Sequence, residues 1–303
     1  MSPLTRFLEV DDLDPTALTR VLERAHAWKH QAVPELWSRR QAVLFFEKPS
    51  ARTRVSTEVA VRSLGGDPIY VRGEEVGLGA REDPADVART FGAFVDALCA
   101  RVFDHTLLET FAAESGIPVV NLLSDRAHPC QALADLLTLR EERGRLEGCR
   151  LAYVGDGNNV AASLAFASAL SGVELALASP PGYGLPAEVA DAARRSGAQL
   201  ETMAEPQDAV RGADAVYTDV WTSMGQDDER DERLAAFNGY QVDEKLMAEA
   251  APDAIFLHCL PAHRGEEVAA AVIDGARSRV WQQAANRMHA VRALLAELTL
   301  EGN

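Results

Sequence analysis

The sequence predicts an α/β protein made of two doubly wound parallel-sheet domains with an active-site cleft between them. Three observations predict it. Short apolar runs alternate with amphipathic segments along nearly the whole chain, the pattern of repeated βα units. At 303 residues the chain exceeds one typical domain. A charged, turn-rich stretch from Glu141 to Gly148, with Gly144 and Gly148 flanking Arg145-Leu146-Glu147, interrupts the alternation near its middle.

The strand-like runs fall at 42–46, 68–71, 97–103, 117–123, 151–154, 173–178, 213–217 and 254–260. Near-continuous apolar runs of this length suit strands covered on both faces. Helical patterns fall near 15–28, 52–64, 84–94, 106–115, 130–142, 159–171, 186–196 and 266–273, and a last helix is expected over about 285–300. In the second of these Val55, Val59, Ala60 and Leu64 share a face. The expected first domain is 1–143, with residues 286–303 packing back on it, and the second is 144–285. The longest polar loop, 221–233, contains Gly225 as a hinge and is a candidate lid.

Composition narrows the function. With 47% hydrophobic and 25% charged residues the chain reads as an ordinary soluble protein. A net charge of -16 argues against non-specific nucleic-acid binding and makes a local basic cluster more telling. No run approaches a membrane span, and the first 30 residues lack the apolar core of a signal peptide. Four scattered cysteines (Cys99, Cys130, Cys149, Cys259) make no disulfide framework, so a reducing cytoplasm is the expected setting.

In open parallel sheets, ligands bind beyond the carboxyl ends of the strands. Polar clusters occur there repeatedly in this chain. Ser50-Ala51-Arg52-Thr53-Arg54 follows one apolar run and opens a helical pattern. It is either a plain helix start capped by Ser50 or a receptor for a phosphate-bearing anion. Two arginines flanking a threonine favour the anion, because they repel unless something joins them. Arg101 closes another run; alone it reads as a rim charge. His128-Pro129-Cys130-Gln131 has a His-x-Cys spacing, but no second pair sits at a zinc-like distance. It is either a structural histidine at a helix start or a pair of donors for a carbonyl oxygen.

Gly155-Asp156-Gly157-Asn158-Asn159-Val160 has Gly-x-Gly but lacks the third glycine of a dinucleotide fingerprint. Its asparagines suit a zwitterionic amino acid, or simply a tight turn. Asp219 ends a further run. His258-Cys259-Leu260-Pro261 puts a thiol at a strand end. A cysteine among apolar residues is usually a small hydrophobe, and here the neighbouring His258 and His263 raise its interest.

Together these residues resemble the aspartate/ornithine carbamoyltransferase family, and its ornithine branch in particular. Ser50 to Arg54 is similar to the family's Ser-x-Arg-Thr-Arg motif, and His128 to Gln131 to His-Pro-x-Gln. His258 to Pro261 resembles the branch's His-Cys-Leu-Pro, and Asp219-Val220-Trp221-Thr222-Ser223-Met224-Gly225 its ornithine lid. The likeness runs from about Phe7 to the last helix. It implies transfer of a carbamoyl group from carbamoyl phosphate to L-ornithine, giving L-citrulline and phosphate, in a homotrimer, with no cofactor and no metal. Carbamoyl phosphate would meet Ser50, Ala51, Arg52, Thr53, Arg101, His128, Gln131, Cys259, Leu260 and Arg287. Ornithine would meet Asn159, Asp219, Ser223, Met224 and the region of Cys259. The catalytic set would be Arg101, His128, Cys259 and Asp219.

The chain departs from the family pattern at three places. Ala51 replaces a threonine, Gly77 stands where a glutamine usually reaches the neighbouring subunit's carbamoyl phosphate, and Ala285 replaces the glutamate of Ala-Glu-Asn-Arg. The loss at Gly77 is expected to weaken donor binding by about 1–2 kcal/mol. The rival readings are a carbamoyltransferase for putrescine, N-acetylornithine or aspartate, a catalytically silent trimeric paralogue, and a nucleotide-binding oxidoreductase built on Gly155 to Val160.

Overall fold

A computed structural model describes residues 4–222 and 227–300. The chain forms two compact units. Unit 1 runs to Leu137 and takes up the chain again from Ala285; unit 2 is Thr138–Ala284.

Unit 1 contains β1 (Arg6–Phe7), α1 (Pro15–Ala27), β2 (Gln41–Phe46), α2 (Ala51–Ser63), β3 (Asp67–Arg72), α3 (Gly73–Val76), α4 (Pro84–Phe94), β4 (Ala97–Arg101), α5 (His105–Glu114) and β5 (Val119–Leu123). Its strands pair in parallel in the order β1-β5-β4-β2-β3. Helix α6 (Pro129–Arg143) spans the division between the units. The expected boundary at 143 follows the end of this helix, whereas the packing divides inside it. Unit 2 contains β6 (Arg150–Val154), α7 (Asn159–Ser171), β7 (Glu174–Ala178), α8 (Ala187–Arg195), β8 (Gln199–Met203), α9 (Pro206–Val210), β9 (Ala215–Thr218), α10 (Arg230–Ala236), α11 (Glu244–Glu249), β10 (Ile255–His258) and α12 (Ala270–Ile273). Its parallel sheet has the order β10-β9-β6-β7-β8. Helix α13 (Val280–Leu300) closes the described chain.

Burial and apolar composition together explain which elements the sequence announces, since the edge strand β3 buries no residue yet its Pro68-Ile69-Tyr70-Val71 run reads as a strand. Every residue of β4 is buried, as are five of the six of β2, so both read as apolar runs. The edge strand β8, Gln199-Leu200-Glu201-Thr202-Met203, buries only Leu200. It carries no such run and was not anticipated, and neither was the two-residue β1. The helix expected at 266–273 shrinks to α12, because Glu267 is fully buried and accepts the His263 N–H at 2.5 Å instead of facing solvent on a helix. The polar loop expected to 233 becomes helical from Arg230.

Topology fixes where ligands can go. In unit 1 the chain passes from β2 to β3 on one side and then to β4 on the other, so the order reverses between β2 and β4. Phe46 and Arg101 are register partners at the ends of those strands. In unit 2 the reversal lies between β6 and β9, which end at Val154 and Thr218. Such switch points open crevices at the carboxyl ends of the strands.

Helix α13 is tied to α1 by a buried carboxylate. Glu297 is 2% exposed and accepts from Arg20 Nε at 2.7 Å and Arg24 at 2.6 Å. Lys29 Nζ adds a bond to Asn286 Oδ1 at 2.8 Å. The partner arginines keep side-chain exposures of 34% and 20%, so losing the carboxylate removes charged hydrogen bonds without stranding a charge. Glu297→Ala should therefore lower the unfolding free energy by about 1–3 kcal/mol in a denaturant titration.

Candidate active site

Unit 1 gathers cations and donors around one hydroxyl. Ser50 caps α2, and its Oγ accepts the Thr53 N–H at 3.4 Å and donates to Thr53 Oγ1 at 3.1 Å. Thr53 is 1% exposed. Arg101 Nη1 reaches its Oγ1 at 3.5 Å from the end of β4, and Arg287 Nη2 donates to the same oxygen from α13. Arg287 Nη1 donates to Gln131 Oε1 at 3.1 Å. Both arginines are more than nine-tenths buried. His128, also buried, lies in their field. Burial first, then the Arg287 and Arg101 charges, hold its proton affinity well below the usual imidazole value, so the ring is neutral at pH 7. Burial and Arg101 also lower the pKa of Lys48, whose Nζ sits 4.0 Å from the Phe103 ring centre.

Ala51 and Arg52 are exposed on the first turn of α2. Arg54, however, is not held for an anion. It pairs with Glu58 at 2.7 Å and stacks 3.8 Å over Tyr70. The repulsion expected between Arg52 and Arg54 is thus relieved locally, and the convergent cations are Arg101 and Arg287.

Unit 2 gathers a thiol, a carboxylate and two amides at its own switch point. Cys259 Sγ donates to Asp219 Oδ1 at 2.8 Å. The same oxygen accepts the Val220 N–H at 2.8 Å, and Oδ2 accepts from Asn158 Nδ2 at 2.8 Å. Asn158 also caps α7, its Oδ1 accepting from Val160 N at 2.9 Å, Ala161 N at 3.2 Å and the Tyr153 hydroxyl at 3.2 Å. Asn159 is the first residue of α7 and half-buried. Leu260 has a φ of +60°, and its N–H donates to His258 Nδ1 at 2.9 Å. With Nδ1 accepting, His258 carries its hydrogen on Nε2, 3.2 Å from Glu267 Oε1. This pair holds the turn that carries Cys259. Ser223 and Met224 lie outside the described residues; beside them Trp221 stacks on Phe237 at 5.5 Å.

Residues 5–141 match the carbamoyl-P binding domain of the aspartate/ornithine carbamoyltransferases, and 147–298 match their Asp/Orn binding domain. The chain belongs to the aspartate/ornithine carbamoyltransferase family. It is 48% identical to the ornithine carbamoyltransferase of Acidothermus cellulolyticus, over 97% of this chain and 96% of that one. The solved structure of ornithine carbamoyltransferase from Pyrococcus furiosus superposes with a TM-score of 0.93 at 43% identity, covering 97% of this chain and 96% of that chain. That from Thermus thermophilus gives 0.90 at 42% identity, covering 97% and 98%.

The glycines of the second unit's first turn have a packing purpose. A Cβ on Gly157 would lie 2.2 Å from the backbone of Gly184 and Leu185, and the Gly157 N–H donates to the Tyr183 carbonyl at 2.7 Å. The Gly-x-Gly that resembled half a nucleotide fingerprint closes one loop on another. Gly77 has a φ of +70° and ends α3, and a Cβ there would meet Arg81 Cβ at 3.2 Å. A glutamine cannot simply be restored at this position without strain.

Two clusters among the described residues bring possible metal ligands together, Asp219–His258–Cys259 and His263–Glu266–Glu267. Neither donor set suits a metal. His258 Nδ1 already accepts a backbone N–H and Nε2 faces Glu267, while Arg230 clamps Glu266 at 2.5 and 3.3 Å.

Sequence reasoning read Asn158 only as one of a pair of asparagines suited to an amino acid or a tight turn, and it missed Tyr153, Asp156 and Arg233. Asn158 had a readable signal, since asparagine one residue before a helix is a cap. Arg233 and Asp156 did not, because their contact is long-range, and Tyr153, only five residues from Asn158, reads as one more apolar position of a buried strand. Arg233 Nη1 bonds Asp156 Oδ2 and the Trp221 carbonyl, both at 3.1 Å. Burial pushes Asp156 up from 3.8 to about 6 despite Arg233. A carboxyl whose folded pKa exceeds its unfolded one binds its proton more tightly when folded. Its ionisation therefore costs stability as pH rises from about 4 through 6, by about 3 kcal/mol in all. Asp156→Asn should remove that step, making the unfolding free energy flatter over this window when titrated by denaturant at successive pH values.

Proposed function

We propose that the chain transfers the carbamoyl group of carbamoyl phosphate to the δ-amine of L-ornithine, giving L-citrulline and phosphate. The observation that carries this reading is the Cys259–Asp219 pair at the heads of β10 and β9, in the His-Cys-Leu-Pro setting that the ornithine branch uses. The names of the full-length relatives support the same acceptor.

Unit 1 is the donor half. Ser50, the N–H of Ala51, Arg52, Thr53, Arg101 and Arg287 hold the phosphate group. Attack of the amine on the carbonyl carbon makes a tetrahedral oxyanion, which Arg101, Thr53 and the neutral His128 stabilise with donors already in position. The bond from carbon to the bridging oxygen then breaks, and phosphate leaves to the two guanidinium groups. Gln131 faces the carbamoyl amide.

Unit 2 is the acceptor half. Asp219 takes the α-amino group, with Asn159, Ser223 and Met224 completing recognition. Ornithine's δ-amine, with a lysine-like pKa near 10.4, costs about 5 kcal/mol to deprotonate at pH 7. Cys259 orients that amine and passes its proton towards Asp219.

The working assembly is a homotrimer. Val55 and Val59 on α2, with Ile69 on the edge strand β3, are exposed at 59%, 44% and 45%, whereas Ala60 and Leu64 are fully buried, so the four residues expected on one face divide between two, and the exposed apolar ones suit a second copy. A cytoplasmic setting accords with four free cysteines. No described helix is long and apolar enough to cross a membrane.

Purified protein should form citrulline from carbamoyl phosphate and ornithine, with putrescine and N-acetylornithine much poorer in parallel assays. Activity with another acceptor alone, or with none, overturns the reading. Cys259→Ser should lower kcat on the order of tenfold to a hundredfold and displace the acid limb of the pH profile, where the amine must lose its proton. An unchanged rate and profile would remove Cys259 from the mechanism.

A further inference from the structure

Gln131 carries an amide whose two ends are chemically opposite, one accepting and one donating. Its Nε2 donates to Asp135 Oδ1 at 2.8 Å, one helical turn further along α6. Its Oε1 accepts from Arg287 Nη1 at 3.1 Å. Turning the amide over would set an oxygen against the carboxylate and an NH2 against the guanidinium. Two charges of opposite sign therefore impose the same orientation. Gln131 and Asp135 are each 1% exposed and Arg287 is 6% exposed, so water does not soften that choice.

Aspartate is a poor helix-interior residue, and a buried carboxylate carries a desolvation cost. The direction it gives Gln131 is a specific return for that cost. Fixed this way, Oε1 lies beside Arg287 and keeps a second lone pair for an N–H donor. A carbamoyl group supplies such a donor. An acetyl group presents a methyl there, and inorganic phosphate presents nothing.

We propose that Asp135 is a positioning residue which, by holding the Gln131 carboxamide one way round, makes unit 1 select a carbamoyl phosphate over other small phosphates. The proposal rests on the carbamoyl-phosphate reading above and adds the origin of its selectivity.

The test is Asp135→Asn, an isosteric change that lets its own amide offer either end to Gln131. Initial rates give KM for carbamoyl phosphate, and inorganic phosphate and acetyl phosphate serve as competitive inhibitors. KM for carbamoyl phosphate should rise about tenfold, while both inhibition constants stay within about twofold. A general loosening of the pocket would raise all three together and overturn the proposal, as would three unchanged constants. In a Gln131→Leu background Asp135→Asn should add nothing further to the ratio; additive effects also overturn it. If the single Asn variant does not fold, Gln131→Leu with Asp135→Leu keeps an apolar pair in the helix and should match Gln131→Leu alone, and a difference overturns the proposal. Wild-type protein that makes no citrulline sinks the underlying reading, and this inference with it. An active wild type with an unmoved ratio in the variant sinks only this inference.

Discussion

Arg287 joins three stretches of unit 1 that lie far apart in the chain. From α13 it reaches Thr53 on α2 and Gln131 on α6, separations of 234 and 156 residues. Arg101 brings a second guanidinium to the same threonine. Two like charges buried together are costly, and the surrounding groups register it. Burial, and after it the two guanidinium charges, hold His128 neutral, and burial with Arg101 lowers the proton affinity of Lys48. A chain of net charge -16 thus keeps one strongly positive spot. A small dianion placed there would be desolvated and still neutralised, which fixes the kind of substrate before its shape is considered.

Unit 2 also has a switch point in its parallel sheet, but with the opposite field. Its switch point collects Asp156, Asp219 and Cys259, and their charges add to burial in raising the pKa of Tyr153 well above the usual phenol. The fold dictates only that ligands meet the carboxyl ends of particular strands. The few residues that follow each strand set the sign. Short sequence clusters could therefore carry so much of the functional reading, whereas the sheets alone would have carried none.

What the sequence made legible follows from the range of the interaction involved. Buried parallel strands and long amphipathic helices show in local periodicity, and eight strands were expected close to where they lie. The edge strand β8 buries only Leu200, and the helices α3, α9, α10 and α11 are too short to leave a period. At the site, strand-end clusters were visible because they are contiguous. The Arg54–Glu58 pair was equally local, and a neutralising residue four positions on was the signal overlooked. Links that cross the chain, such as Arg233 to Asp156 or Arg287 to Thr53, leave no local trace.

One device recurs in both units. Asn158 accepts two backbone N–H groups of α7 and the Tyr153 hydroxyl on its oxygen, so its NH2 is left to face Asp219. Gln131 is fixed in the same manner between Asp135 and Arg287. Each amide borders a group assigned to the reaction, and each has its donor and acceptor ends decided by neighbours that cannot reverse their own polarity. A helix N-terminus only donates, a carboxylate only accepts, and a guanidinium only donates. Directionality built from such partners needs no reorganisation when substrate arrives, which is the condition for electrostatic stabilisation to lower a barrier instead of merely binding the ground state.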